Sequence, residues 1–82
     1  MSGESTCIRV GRRMTIEEIQ ALYEGERLKA ASIHPVLLFR EISTNTFEIK
    51  FHPKHRFRKG IDESKAIVRL AIRQRYPDCN IA

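Results

Sequence analysis

The spacing of apolar residues changes character along this chain, and each change marks an element. Thr6-Cys7-Ile8-Arg9-Val10 alternates, which predicts a short strand ended by Gly11. Helical spacing then takes over, with Ile16, Ile19, Leu22 and Tyr23 on one face. Thr15 is placed to cap that helix, and Glu18 completes a capping box. Met14, just before the cap, can pack on Ile19 as a hydrophobic staple. Gly25 weakens the helix by about 1 kcal/mol relative to alanine. The helix either stops there or continues through Leu28 to about Ala31. His34-Pro35 closes the helical option, because the residue before proline avoids the α region.

Alternation then returns. Val36–Ile42 and Thr46–His52 are predicted strands around the polar turn Ser43-Thr44-Asn45. In the second, Phe47, Ile49 and Phe51 alternate with Glu48, Lys50 and His52, the pattern of a strand with one wet face. Pairing Arg40 with Glu48 also sets Phe39 opposite Ile49 and Leu37 opposite Phe51. Opposing Glu41 to Glu48 would instead set like charges face to face. Pro53 suits the second position of a turn over His52-Pro53-Lys54-His55, and Arg56-Phe57-Arg58 alternates as a third strand closed by Gly60. Asp62 is expected to cap the last helix, and Glu63 suits the positive end of its dipole. Ala66, Ile67, Leu70, Ala71 and Gln74 form its apolar stripe, flanked by Val68 and Ile72, and Tyr76-Pro77 ends it. Residues 1–5 are small and polar and are expected to fray. Cys79-Asn80-Ile81-Ala82 is either a tail or one brief edge strand.

Together these elements predict one small α+β domain over residues 1–82, with an antiparallel sheet. Two chain paths fit. In α-β-β-β-α, a three-stranded meander carries both helices on one face. In β-α-β-β-α-β, the split order of ferredoxin-like domains, Thr6–Val10 and Cys79–Ile81 add terminal strands. The meander is the reading taken forward. Double-stranded-RNA-binding domains share that order, but a basic cluster opens their last helix. Here Asp62-Glu63-Ser64-Lys65-Ala66 stands in its place, so no family is assigned.

Charge adds a direction to this outline. Residues 1–41 balance, six Arg and Lys against six Glu. The decapeptide Lys50–Lys59 holds Lys50, Lys54, Arg56, Arg58 and Lys59 and no acid, and its five charges equal the formal net charge of +5. A positive field gathered at one place implies an anionic partner. Guanidinium forks and ammonium groups at such density suit phosphates. The expected function is a small nucleic-acid-binding protein that contacts the phosphate backbone with weak sequence readout. Lys54, Arg56, Arg58 and Lys59 are the main candidates, supported by Lys50 and by Arg69 and Arg73, which with Lys65 form one ridge of the last helix. Phe47 and Phe51 read as core residues and not as base-stacking platforms.

The alternative is an adaptor or inhibitor that docks on an acidic protein surface, or pairs along an edge strand, using Tyr23, Leu28 or Ile42. A homodimer is also compatible with so small a core. No cofactor, metal or catalytic site is expected: no CxxC or HxxxH spacing is present, and no serine sits in a glycine elbow. The longest apolar run, Val36-Leu37-Leu38-Phe39, is far short of the roughly 20 residues of a membrane span. With no basic and apolar leader at the N-terminus, the expected location is the cytosol, where Cys7 and Cys79 would stay unpaired.

Overall fold

The computed structural model describes residues 4–29, 34–54 and 60–82. Two helices, α1 (Ile16–Lys29) and α2 (Ile61–Arg75), lie on one face of an antiparallel sheet. Its strands are β1 (Ser5–Arg9), β2 (Leu37–Ser43) and β3 (Thr46–Phe51). The α+β class and the placement of both helices on one face agree with the sequence. The strands supply the shared core from alternating positions: Ile8 from β1, Leu37 and Phe39 from β2, Phe47 and Ile49 from β3. Ile19 and Tyr23 of α1 and Val68 and Ile72 of α2 close over them.

The hairpin forms as its charges and apolar residues dictate. Arg40 faces Glu48, Phe39 faces Ile49 and Leu37 faces Phe51. The Arg40 guanidinium lies 3.0 Å from the Glu48 carboxylate. At the turn, Asn45 takes φ of 59°, a left-handed conformation that asparagine tolerates better than most residues. A bulge between Glu41 and Ser43 then lets Ser43 pair with Thr46.

The third strand differs from the meander. β3 lies between β2 and β1, in the order β1-β3-β2, so the strand beside it comes from the N-terminus. The expected strand Arg56–Arg58 lies outside the described residues. β1 pairs with β3 through Ser5–Lys50, Cys7–Glu48 and Arg9–Thr46. β1 and β2 are therefore parallel to each other with β3 between them, which is the split arrangement of the alternative path. Its last strand survives as a single bridge, Val10 to Ile81, on the outer side of β1.

Three local expectations change with it. Ser5 begins β1 and Glu4 is held by α2, so neither frays, and residues 1–3 of that expectation lie outside the described residues. Asp62 does not cap α2. The cap position is Gly60, which offers no side chain, and the Glu4 carboxylate accepts a hydrogen bond from the Ile61 N–H at 3.0 Å. Asp62 and Glu63 instead occupy the first turn, where their charge suits the dipole. The buried face of α2 is also rotated from the expected stripe. Ile61, Ser64, Val68, Ala71 and Ile72 point inward, while Leu70 is 49% exposed and Ala66 and Gln74 face solvent.

α1 holds its form beyond Gly25 to Lys29, and Thr15 Oγ1 accepts the Glu18 N–H at 3.1 Å as its cap. Met14 and Ile19 are both buried in the core, as the staple requires. Neither cysteine is in a disulfide: Cys7 is exposed on β1 and Cys79 is half-buried near the C-terminus.

Candidate nucleic-acid interface

With both helices on one face, no described element covers the other face of the sheet. Strand alternation decides what stands on it. One row across the strands is Ser5, Lys50 and Leu38; the next is Cys7, Glu48 and Arg40; Arg9 and Thr46 begin a third. Lys50 and Arg9 are exposed, and neither makes an ion pair among the described residues. Arg40 is held by Glu48, with Nε donating to Oε1 at 3.1 Å, and its side chain stays 70% exposed while that of Glu48 is 18% exposed. Among the described residues this face therefore carries three cations and one carboxylate, and the carboxylate is already partnered.

Lys50 also opens the basic decapeptide. β3 ends at Phe51, and the chain turns at Pro53 and Lys54, where the Lys54 N–H donates to His52 Nδ1 at 3.1 Å. Lys54 is exposed at this turn. The candidates Arg56, Arg58 and Lys59, with His55, lie outside the described residues.

Arg69 and Arg73 are in the helical layer, with Arg69 half-buried and Arg73 exposed. Lys65 on the same ridge is half-buried. Lys50 projects from the opposite face of the sheet, so the fold does not bring it and this ridge onto one surface. The exposed apolar residues divide similarly: Leu38 is 42% exposed on the uncovered face, Ile42 is 45% exposed at the bulge, and Leu28 is 75% exposed on α1. Tyr23, which the docking alternative used, is buried at 1% exposure.

Sequence reasoning passed over Arg9 and Arg40 as site candidates. Arg40 was visible only as the partner of Glu48, and Arg9 joins the face only once β1 pairs with β3. A second group was also missed. Arg12 and Arg75 stack on the Tyr76 ring, their guanidinium carbons 3.7 and 4.8 Å from its centre, and the Tyr76 hydroxyl donates to Glu18. That bond to Glu18 is the main reason the Tyr76 phenol is held above its usual pKa, with burial adding to it. Residues far apart in sequence thus tie the start of α1 to the end of α2.

Among the described residues no group of three or more His, Cys, Asp and Glu could hold a metal ion, and no helix is long and apolar enough to cross a membrane. Comparison with known proteins returns no matching family model, no matching curated protein and no matching solved structure.

Proposed function

We propose that this protein binds nucleic acid through the phosphate backbone, with weak sequence readout. Lys50 and Lys54 begin the contact surface, and Arg56, Arg58 and Lys59 continue it along the chain. The observation that carries the proposal is the position of Lys50, exposed on the central strand of an open sheet face with no ion pair among the described residues, where the acid-free basic segment begins. An unpaired ammonium there raises the local potential without the desolvation that a buried ion pair would require. Arg69 and Arg73 would reach phosphates only from the other side of the domain, and their role is secondary. Such a protein would act in the cytosol, where its two thiols stay reduced.

The test is binding of labelled double-stranded DNA, double-stranded RNA and single strands at two salt concentrations. Each phosphate contact removed should flatten the slope of log K against log salt by about 0.7 to 0.9. Lys50→Gln with Lys54→Gln should therefore weaken binding to all sequences about equally and lower that slope. An unchanged slope moves the contacts elsewhere. Absence of binding to any nucleic acid at low salt overturns the proposal. The adaptor reading would then lead, favoured by the exposed Leu38 and Ile42 on the edge strand β2.

A further inference from the structure

We infer that the uncovered sheet face is a platform for an unpaired nucleic-acid strand, which it selects over duplex. The inference rests on the nucleic-acid reading above and names the substrate class for it. Strands in a sheet lie about 4.8 Å apart, and side chains two residues apart on one strand are separated by roughly 6.7 Å. Lys50, Arg40 and Arg9 occupy three successive rows on three different strands. They are thus spread over a patch roughly 10 Å wide and 13 Å long, with no row holding two of them.

What stands between these cations decides which nucleic acid fits. Leu38 shares a row with Lys50 and leaves 42% of its surface in water. Arg40 is fixed by Glu48 through its Nε and one terminal nitrogen, at 3.1 and 3.0 Å, yet its side chain is 70% exposed. A guanidinium held at one edge and open on its plane is a stacking surface for a base, and an exposed leucine is an apolar seat for another. Lys50 and Arg9 remain to meet phosphates, and Glu48, spent on Arg40, repels them little.

A duplex can use little of this. Its bases are stacked and paired inside, so Leu38 and the plane of Arg40 would gain no partner. Its grooves are read by an element that protrudes into them, a helix or a two-stranded ribbon, and both helices here lie behind the sheet. A flat face meets the convex duplex along a narrow band and reaches few phosphates at once. A single strand is flexible enough to lie across the rows with its bases turned down.

The experiment compares single-stranded DNA, single-stranded RNA and duplexes of the same length by fluorescence anisotropy at low salt. Single strands should bind at least about tenfold tighter than duplex, the order of one base stacked. Arg40→Lys keeps the charge but removes the plane. It should weaken single-strand binding about tenfold with the salt slope unchanged, and Leu38→Ser should act in the same direction. Arg9→Gln should instead lower the slope. All three side chains are exposed, and circular dichroism checks that each variant keeps its fold. Duplex bound as tightly as single strands overturns the inference. So does unchanged affinity of Arg40→Lys and Leu38→Ser while Lys54→Gln weakens binding, and in that case the nucleic-acid reading stands without the platform. Absence of binding to every strand removes both.

Discussion

Tyr23 shows how much one side chain decides in so small a core. It is among the largest fully buried residues, its ring meets Phe39 edge-on at 5.9 Å, and its hydroxyl donates to the Pro35 carbonyl. Burial pushes the phenol from 10.0 up to about 12, with Glu24 adding to the rise and Arg27 opposing it. The folded state therefore keeps this proton over a range in which the unfolded chain has lost it. Stability from the neutral phenol is fully present below pH 10 and is lost as pH rises to about 12. Denaturation midpoints should fall across that window for the natural chain. In Tyr23→Phe that part of the fall should disappear, while stability at neutral pH drops by about 1 kcal/mol with the lost hydrogen bond. A variant with the same alkaline slope would show that another group is responsible. Ser64 is a different lesson at the same scale. Its side chain is fully buried with no hydrogen-bond partner for Oγ among the described residues, and a polar residue at a core position is what apolar patterning cannot anticipate.

Among the elements, those governed by near neighbours were legible and those governed by distant ones were not. The start of α1 follows from Met14, Thr15 and Glu18 within one turn, and the β2–β3 register from residues facing across a tight hairpin. The start of α2 depends instead on Glu4, 57 residues away, and no local pattern announces that contact. Alternation announced β1 as a strand, but its place in the sheet was hidden by a similar separation, since its ladder joins Ser5 to Lys50. The stripe of α2 failed for another reason. Ala66-Ile67-Val68 and Leu70-Ala71-Ile72 are apolar on nearly all sides, so several faces satisfy helical spacing and tertiary packing makes the choice. The capping role of Glu4 has a direct consequence. Glu4→Ala leaves the Ile61 N–H without its acceptor at the positive end of α2 and should cost about 1 kcal/mol. Amide exchange over the first turn of α2 should quicken more than exchange in α1. Glu4→Gln keeps an oxygen in place and should lose less. Equal exchange in Glu4→Ala and the natural chain would remove Glu4 from the cap.

At the scale of the whole molecule, the basic decapeptide was legible as charge, but its surroundings were not. Which residues share a surface with Lys50 depends on β1 pairing beside β3, and only that pairing adds Arg9 and sets the α2 ridge apart. The same strand also brings the two ends of the chain together. Arg9 exchanges backbone hydrogen bonds with Ala82 at 3.1 and 2.8 Å, and the Gly11 N–H donates to the Asn80 carbonyl at 2.7 Å. Ile81 packs on the core between them. This contact explains Gly11, whose backbone has no positive φ and whose glycine is therefore not required by conformation. A Cβ there would stand 3.1 Å from both the Cβ and the carbonyl oxygen of Asn80, closer than a relaxed contact. Removing Asn80–Ala82 should lower stability by roughly 2 kcal/mol, from three backbone hydrogen bonds at the edge and part of the burial of Ile81. Gly11→Ala should cost about 1 kcal/mol in the full chain, because the tail is pinned where the methyl must go. In the shortened chain the Asn80 atoms that crowd the methyl are gone, and the same substitution should become neutral or slightly stabilising, since alanine restricts the unfolded state. The two changes are therefore non-additive, and a double-mutant cycle read by urea denaturation measures their coupling directly. Additive losses would mean that the tail does not rest against Gly11 in solution, and β1 would then have an open outer edge along its whole length.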